Sequence, residues 1–287
     1  MTDVIYLSIN CRYVLSNALC QKYFGGSHEI ADLQKAIAGY VRSDTLGGAG
    51  NPDLHFNYGN VLTYTQSFAE AIDRYNKSVA IDPGLPDAPS SVKNISAFLE
   101  RLKKSVTSKQ YNLTNLTLEA DVVKDLQQSP LSKGTSGFAD LVGGINAGLV
   151  FSAKFVAPIQ RPDDLPSPEI FWCIDGNGDY GVVSVYNLVP LDAAKCGRFK
   201  TIAIADPVLK TWSLGAAASP VSGQPAGKEA GCASVDATSS AAVAAAGLSC
   251  ANVFVVQAFE KTKVRIDGSA FSKATPVTSM GSSTFDV

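Results

Sequence analysis

Small and aromatic residues recur in this chain at a fixed interval, and that interval restricts the fold more than any other feature. Ala36 and Tyr40 precede Ala71 and Tyr75 by 35 residues each. The segment 68–83 reads FAEAIDRYNKSVAIDP, with Phe68, Ile72, Tyr75 and Val79 on one helical face and Pro83 stopping the helix after Asp82. Upstream, Asn51-Pro52-Asp53 starts a partner helix, because Asn or Asp can cap it and Pro suits its first turn. The apolar stripe of that helix is Leu54, Tyr58, Val61 and Leu62. Gly59 falls where the two helices of a hairpin touch, and Ala71 faces it from the second helix. Gly, then Ala twelve residues on, an aromatic after four more and Pro after a further eight is the signature of a stacking helical hairpin of about 34 residues.

An earlier copy fits the same template, with its first helix running roughly from Tyr6 to Tyr23, Ser16 in the place of Gly59, and its end around Ala36–Tyr40. The Ser16–Ala36 spacing is 20 residues, so an insertion of eight sits near the Gly25-Gly26-Ser27-His28 stretch. Downstream, 91–109 forms one long amphipathic helix with Val92, Ile95, Phe98, Leu99, Leu102 and Val106 inward. Its basic C-terminal half suits the helix dipole, and it caps the stack. Stacked hairpins bury their faces only against neighbours. The expectation is therefore that 68–83 ends a longer array, whose N-terminal side carries an apolar face with no cover.

Beyond residue 109 the periodicity changes. Residues 110–143 hold a short strand candidate at 115–118 and then a Gly/Ser-rich connection, expected to be a linker. Strands are expected at 147–157, 168–175, 180–189, 199–205 and 250–266. The run Asp175-Gly176-Asn177-Gly178-Asp179 is a hairpin turn between two of them. Five strands with a long connection before the last predict a small closed or partly open β-barrel. The connection, 214–249, is rich in Ala, Ser and Gly, and 269–287 is expected to be a disordered tail. The fold class is thus α+β multi-domain: all-α helical hairpins with a capping helix at 1–109, a linker at 110–143, and an all-β barrel at 144–268.

Composition narrows the chemistry. A net charge of −2 provides no global basic field for nucleic acid. Six cysteines without a C-x-x-C pair predict neither a metal site nor a disulfide framework, and are read as free thiols of a soluble intracellular protein. The N-terminus lacks the pattern of a secretory signal, and no apolar run of about 20 residues marks a membrane span. Asp175–Asp179 begins like a calcium loop, but Tyr180 and Tyr186 stand where that loop needs Gly and Glu. The only histidines, His28 and His55, lie in no catalytic cluster, and no Gly-rich phosphate loop is present. No catalytic residue, metal ligand or cofactor is assigned.

Binding residues are better candidates. Asp53 and Asp87 fall near helix starts on the face where stacked hairpins bind extended peptides, although each also fits as a simple cap. Lys103, Lys104 and Lys109, with Arg101, form a basic run that is either a solvated face or a contact for an anionic partner. Phe171, Trp172, Tyr180, Tyr186 and Phe199 are either barrel core or a stacking platform for nucleobases, with Lys154, Arg198 and Lys200 as sparse basic neighbours.

Together, 51–57 (NPDLHFN), 68–83, FLERL at 98–102, IDGNGDYGVVSVYNL at 174–188, IAIADP at 202–207 and the last strand at 253–266 give the chain a specific likeness. It resembles the tetratricopeptide repeat protein 5 (Strap) family, adaptors with tetratricopeptide (TPR) repeats and a C-terminal OB-fold, over roughly residues 10–268. It corresponds to the C-terminal portion of the family's length. The resemblance implies a non-enzymatic adaptor, cytoplasmic and nuclear, that recognises the N-terminal tetrapeptide of nascent tubulin at the ribosome and triggers tubulin mRNA decay. It also implies an alternative role as a nuclear stress-response cofactor whose OB-fold contacts DNA or protein. Two acidic groove residues of the family fall on Asp53 and Asp87, the second as Asp in place of Glu. A groove arginine of the family belongs to earlier repeats without counterpart in this sequence. The family's basic pair after the capping helix falls on Leu113 and Asn115, leaving Lys103, Lys104 and Lys109 as the nearby positive charges.

Overall fold

A computed structural model describes residues 2–111, 116–161, 167–187, 196–214, 252–260 and 263–270. Among the described residues, six helices precede nine strands: α1 (Thr2–Lys22), α2 (Ile30–Thr45), α3 (Pro52–Tyr64), α4 (Phe68–Ile81), α5 (Asp87–Thr107) and α6 (Leu116–Gln128). The expected hairpins are α1/α2 and α3/α4, closed by α5. The eight-residue insertion is resolved as a π-helical turn, Tyr23–Ser27, whose Gly26 has φ +140°, followed by His28 in the left-handed region. Helix α3 starts as the sequence implies. The Asn51 side chain accepts from the backbone N–H groups of Asp53 and Leu54, with Pro52 in the first turn.

The repeat signature has a direct steric cause. A Cβ at Gly59 would lie 2.7 Å from the ring of Tyr75, so only glycine lets the aromatic cross the hairpin. The Tyr75 hydroxyl then bonds Asn60 Oδ1 at 2.8 Å and Thr63 Oγ1 at 3.1 Å. Tyr40, the equivalent aromatic of the first hairpin, stacks on Tyr58 of the second at 5.5 Å. The outer face of α1 and α2 exposes Val14, Leu15 and Val41.

The strands are β1 (Gly144–Ile145), β2 (Val150–Ile159), β3 (Glu169–Asp175), β4 (Tyr180–Val185), β5 (Thr201–Ala205), β6 (Val208–Ser213), β7 (Asn252–Ala258), β8 (Val264–Ile266) and β9 (Ser269–Ala270). They form one sheet in the order β1-β6-β7-β4-β3-β2-β5-β8-β9. Strands β5 and β6 are almost continuous, bent at Asp206 (φ +49°) and Pro207. Because β5 pairs with β2 and β6 pairs with β7, that bend joins the two halves of the order into a barrel. The meander β2-β3-β4 and the parallel β4–β7 pair complete it. This is the five-stranded OB-fold plan, its fourth strand split by the bend.

Two expectations need correction. Of the expected strand at 115–118, residues 116–118 are helical: from Leu116 the chain runs in α6, whose buried Val122 and Leu126 supply an amphipathic stripe, and Asn115 lies outside the described residues. The expected linker therefore contains a helix that lies on the barrel. The strand β6 went unpredicted, and the single run 250–266 is two strands, β7 and β8. The connection at 215–251 and most of the expected tail, 271–287, lie outside the described residues.

Strands β3 and β4 are buried on both faces. Phe171, Cys173 and Val183 point into the barrel with Phe151, Phe155 and Ile202. Ile170, Trp172, Ile174 and Val182 point outward and join the core of the helices. This explains the unbroken apolar run IFWCI at Ile170–Ile174, which a half-solvated strand would not carry. Replacing Gly59 by Ala is expected to destabilise the protein by about 1–3 kcal/mol through the clash with Tyr75. Gly50→Ala, with nothing within 4 Å of the new Cβ, is the control expected to change little in the same urea titration.

Candidate functional site

Helices α3 and α5 are first helices of successive units and run in the same direction, with α4 antiparallel between them. The Ser78 hydroxyl near the end of α4 donates to the Pro52 carbonyl at the start of α3. The starts of α3 and α5, carrying Asp53 and Asp87, consequently lie at the same end of the stack. Both residues are exposed. The cap of α3 is Asn51, not Asp53, and the side chain of Asp87 makes no cap bond. Among the described residues neither carboxylate has a hydrogen bond or ion pair.

Beside Asp53 lies a polar network that the sequence reading did not single out. Asn57 Nδ2 donates to the Tyr13 hydroxyl at 3.0 Å, and the Tyr40 hydroxyl donates to Asn17 Oδ1 at 2.6 Å. Asn17, Asn57 and Asn60 are all nearly inaccessible. Burial raises the Tyr13 phenol above its ordinary value, with the nearby Asp53 charge a lesser contributor. The available signal was the position of Asn57, three residues after Leu54 and four before Val61, in phase with the apolar stripe of α3, since buried amides persist only where they are bonded.

Lys103 is half-exposed, and Lys104 and Lys109 are exposed, all without an intrachain ion pair among the described residues. Lys104 is in the last turn of α5, and Lys109 follows it with φ +52°. Leu113 and Asn115 lie outside the described residues.

The barrel aromatics are core or covered, and the stacking-platform reading is corrected accordingly. Phe171, Trp172 and Tyr186 are at most 6% exposed. Tyr111, following α5, stacks on Trp172 at 4.8 Å and lies 5.3 Å from Tyr180, whose hydroxyl donates to Glu119 of α6. Phe199 packs against the same core under Arg198. Of the basic neighbours, Lys154 pairs with Asp125 of α6 at 2.6 Å and Lys200 with Asp267 at 2.7 Å. The surface that would stack bases is occupied by the chain's own helix.

The densest polar constellation is the seam between helices and barrel. The Tyr64 hydroxyl, at the end of α3, donates to Asn187 Oδ1 at 3.1 Å, and Asn187 Nδ2 donates to the Tyr23 hydroxyl at 2.8 Å. The two tyrosine hydroxyls are 3.2 Å apart, and Tyr64 packs edge-on against Tyr186. Asn187 adopts φ +55°, a conformation asparagine tolerates better than most residues. Burial pushes the phenols of Tyr64 and Tyr186 well above the ordinary range, so both remain neutral; Tyr64 donates to Asn187, and Tyr186 accepts from Gln257 Nε2 at 2.9 Å. Next to them the α3–α4 turn, Thr65-Gln66-Ser67, rests on the barrel. Gln257 Nε2 of β7 and Lys210 Nζ of β6 both donate to the Thr65 carbonyl, and Lys210 also donates to Ser67 Oγ at 2.6 Å. Trp212 of β6 closes the seam edge-on against Phe68 and Phe98.

The architecture defines a class: a stack of helical hairpins, closed by a capping helix, fused through a buried seam to an OB-fold barrel. The family model of the tetratricopeptide repeat protein 5 OB fold domain matches residues 134–219. The tetratricopeptide repeat protein 5 of Homo sapiens is 26% identical over 214 residues, covering 69% of this chain and 48% of the relative. Those of Mus musculus and Bos taurus are 26% and 25% identical over the same length. The chain is similar to the tetratricopeptide repeat protein 5 family in both parts, and it spans about half the length of the curated relatives it matches. No described helix is long and apolar enough to cross a membrane, and no described cluster could hold a metal ion.

Two outcomes test the seam. Asn187→Ala strips the partner from both tyrosine hydroxyls and places Ala at positive φ, so a loss of about 2–4 kcal/mol in urea unfolding is expected. Burial lowers Lys210 to about 8. Below pH 8 folded and unfolded chains both carry its proton; between about 8 and 10.5 only the unfolded chain does. The stability of the wild type relative to Lys210→Met should therefore rise across that window, by on the order of 2–3 kcal/mol in pH-resolved denaturation.

Proposed function

We propose that the chain is a TPR/OB-fold adaptor that binds an extended, basic or amino-terminal peptide through the groove bearing Asp53 and Asp87. The carrying observation is that both carboxylates stand exposed and unpaired at one end of the stack. They are ready to form charge-assisted hydrogen bonds with an ammonium or guanidinium group. The resemblance to the family favours the N-terminal tetrapeptide of nascent tubulin at the ribosome as the ligand, with tubulin mRNA decay as the outcome. Lys103, Lys104 and Lys109 are the free cations that would face an anionic ribosomal partner. On this reading the protein works in the cytoplasm and enters the nucleus as the family resemblance implies, and it acts by recruitment rather than catalysis.

The test is a pull-down of ribosomes displaying a tubulin N-terminus, comparing wild type with Asp53→Asn plus Asp87→Asn. Loss of two charge-assisted contacts should weaken capture at least tenfold. Equal capture by both proteins, or none by either, overturns the proposal. The nuclear cofactor alternative, with an OB-fold contacting DNA or protein, is less favoured because Tyr111 and α6 cover the barrel's aromatic face. It predicts salt-sensitive oligonucleotide binding by the whole chain at low salt.

A further inference from the structure

On the barrel side of the seam lies a cleft of about 200 Å³ between the first turn of α4, strand β6 and Leu99 of α5. Its floor is apolar: Phe68, Ile72 and Trp212 are each no more than 5% exposed. Its walls are rich in donors. Ser67 occupies the N-cap position of α4 but makes no cap bond; its hydroxyl is taken by Lys210. The first-turn N–H groups at Phe68, Ala69 and Glu70 are thus left without a side-chain cap, at the positive end of the helix dipole. Lys210 spends two of its three N–H bonds on Thr65 and Ser67. The indole N–H of Trp212 has no partner among the described residues although the residue is only 3% exposed. The amide nitrogen of Gln66, a lining residue 1% exposed, is unpartnered as well.

A buried donor without an acceptor costs about 1–3 kcal/mol, and Trp212 and Gln66 each carry one beside this cleft. The volume is below the roughly 300–1,000 Å³ of drug-sized sites, which limits the occupant to about one amino-acid residue. A bare phosphate would satisfy the donors but leave the apolar floor uncovered. A chain terminus supplies both parts, and uncapped backbone N–H groups are a recurring way to capture one.

We propose that this cleft binds the C-terminal residue of a partner peptide. Its apolar side chain lies on Phe68, Ile72 and Trp212, and its free carboxylate accepts from Lys210 and the first turn of α4. Glu70, exposed at the rim, sets the selectivity: it repels a second negative charge and so disfavours doubly charged ligands. The site is separate from the Asp53/Asp87 groove and opposite to it in charge preference.

The experiment titrates the full chain with N-acetyl-glycyl-leucine and with its C-terminal amide, following the indole N–H resonance of Trp212, assigned through Trp212→Phe. The acid is expected to shift that resonance saturably below about 10 mM, and the amide to bind at least tenfold more weakly. Lys210→Met should weaken the acid about tenfold, whereas Glu70→Gln, a surface change, should leave folding intact and tighten it about twofold. Asp53→Asn plus Asp87→Asn should leave it unchanged, so failure here is distinct from failure of the groove. Equal binding of acid and amide, no saturable shift with either, or inorganic phosphate matching the acid would each overturn the proposal.

Discussion

Everything in this protein depends on a barrel that cannot face water on the side of β3 and β4. Ile170, Trp172, Ile174 and Val182 point away from the barrel interior, and they are buried because α6, Tyr111 and the hairpin stack lie on them. An OB-fold in solution normally hydrates that outer surface or gives it to a ligand. Here the helices are its ligand, and the polar seam fixes where they sit. Apolar area supplies the attraction without direction. The bonds of Asn187 to Tyr23 and Tyr64, and of Lys210 and Gln257 to the α3–α4 turn, supply the register.

That anchoring reaches the groove. Helix α3 carries Asp53 in its first turn and Tyr64 in its last, so the helix offering the carboxylate is bonded to the barrel at its other end. Helix α5 carries Asp87 at its start and Phe98 against Trp212 near its middle. Both acids are therefore held on rods whose far portions are fixed to the OB-fold. On the proposed function, a groove placed this way would be preorganised, and less ordering entropy would be spent when a peptide arrives. The barrel's contribution to the proposed binding would then be geometric, consistent with its aromatic face being covered by its own chain.

The hairpins were legible in the sequence because their signature is local. Gly59 at the hairpin contact, Ala36 and Ala71 at equal phase and Asn51-Pro52 at a helix start each report a contact within one unit, although the side chain that meets Gly59 is Tyr75 and not the expected Ala71. The barrel was legible as alternation and turns, which is why β2 to β5 were found and the Asp175–Asp179 turn was recognised. What failed was what depends on partners distant in sequence. Residues 115–118 have a strand-like composition but lead into α6, whose buried side rests on the barrel. The alternation of VLKTWS in β6 was passed over because it abuts a low-complexity stretch, although Lys and Trp on it are the residues that meet the helices.

The sequence by itself determined the two kinds of unit, their order, and the place of Asp53 and Asp87 at helix starts, because periodicity and turn chemistry act over a few residues. Only the tertiary structure decided that the units share a core, since the pairs Tyr23–Asn187, Thr65–Gln257 and Ser67–Lys210 are separated by 164, 192 and 143 residues. No local pattern encodes such partners. They are selected when burial of the barrel's outer face leaves polar groups that must find one another or remain unpaired in a medium without water.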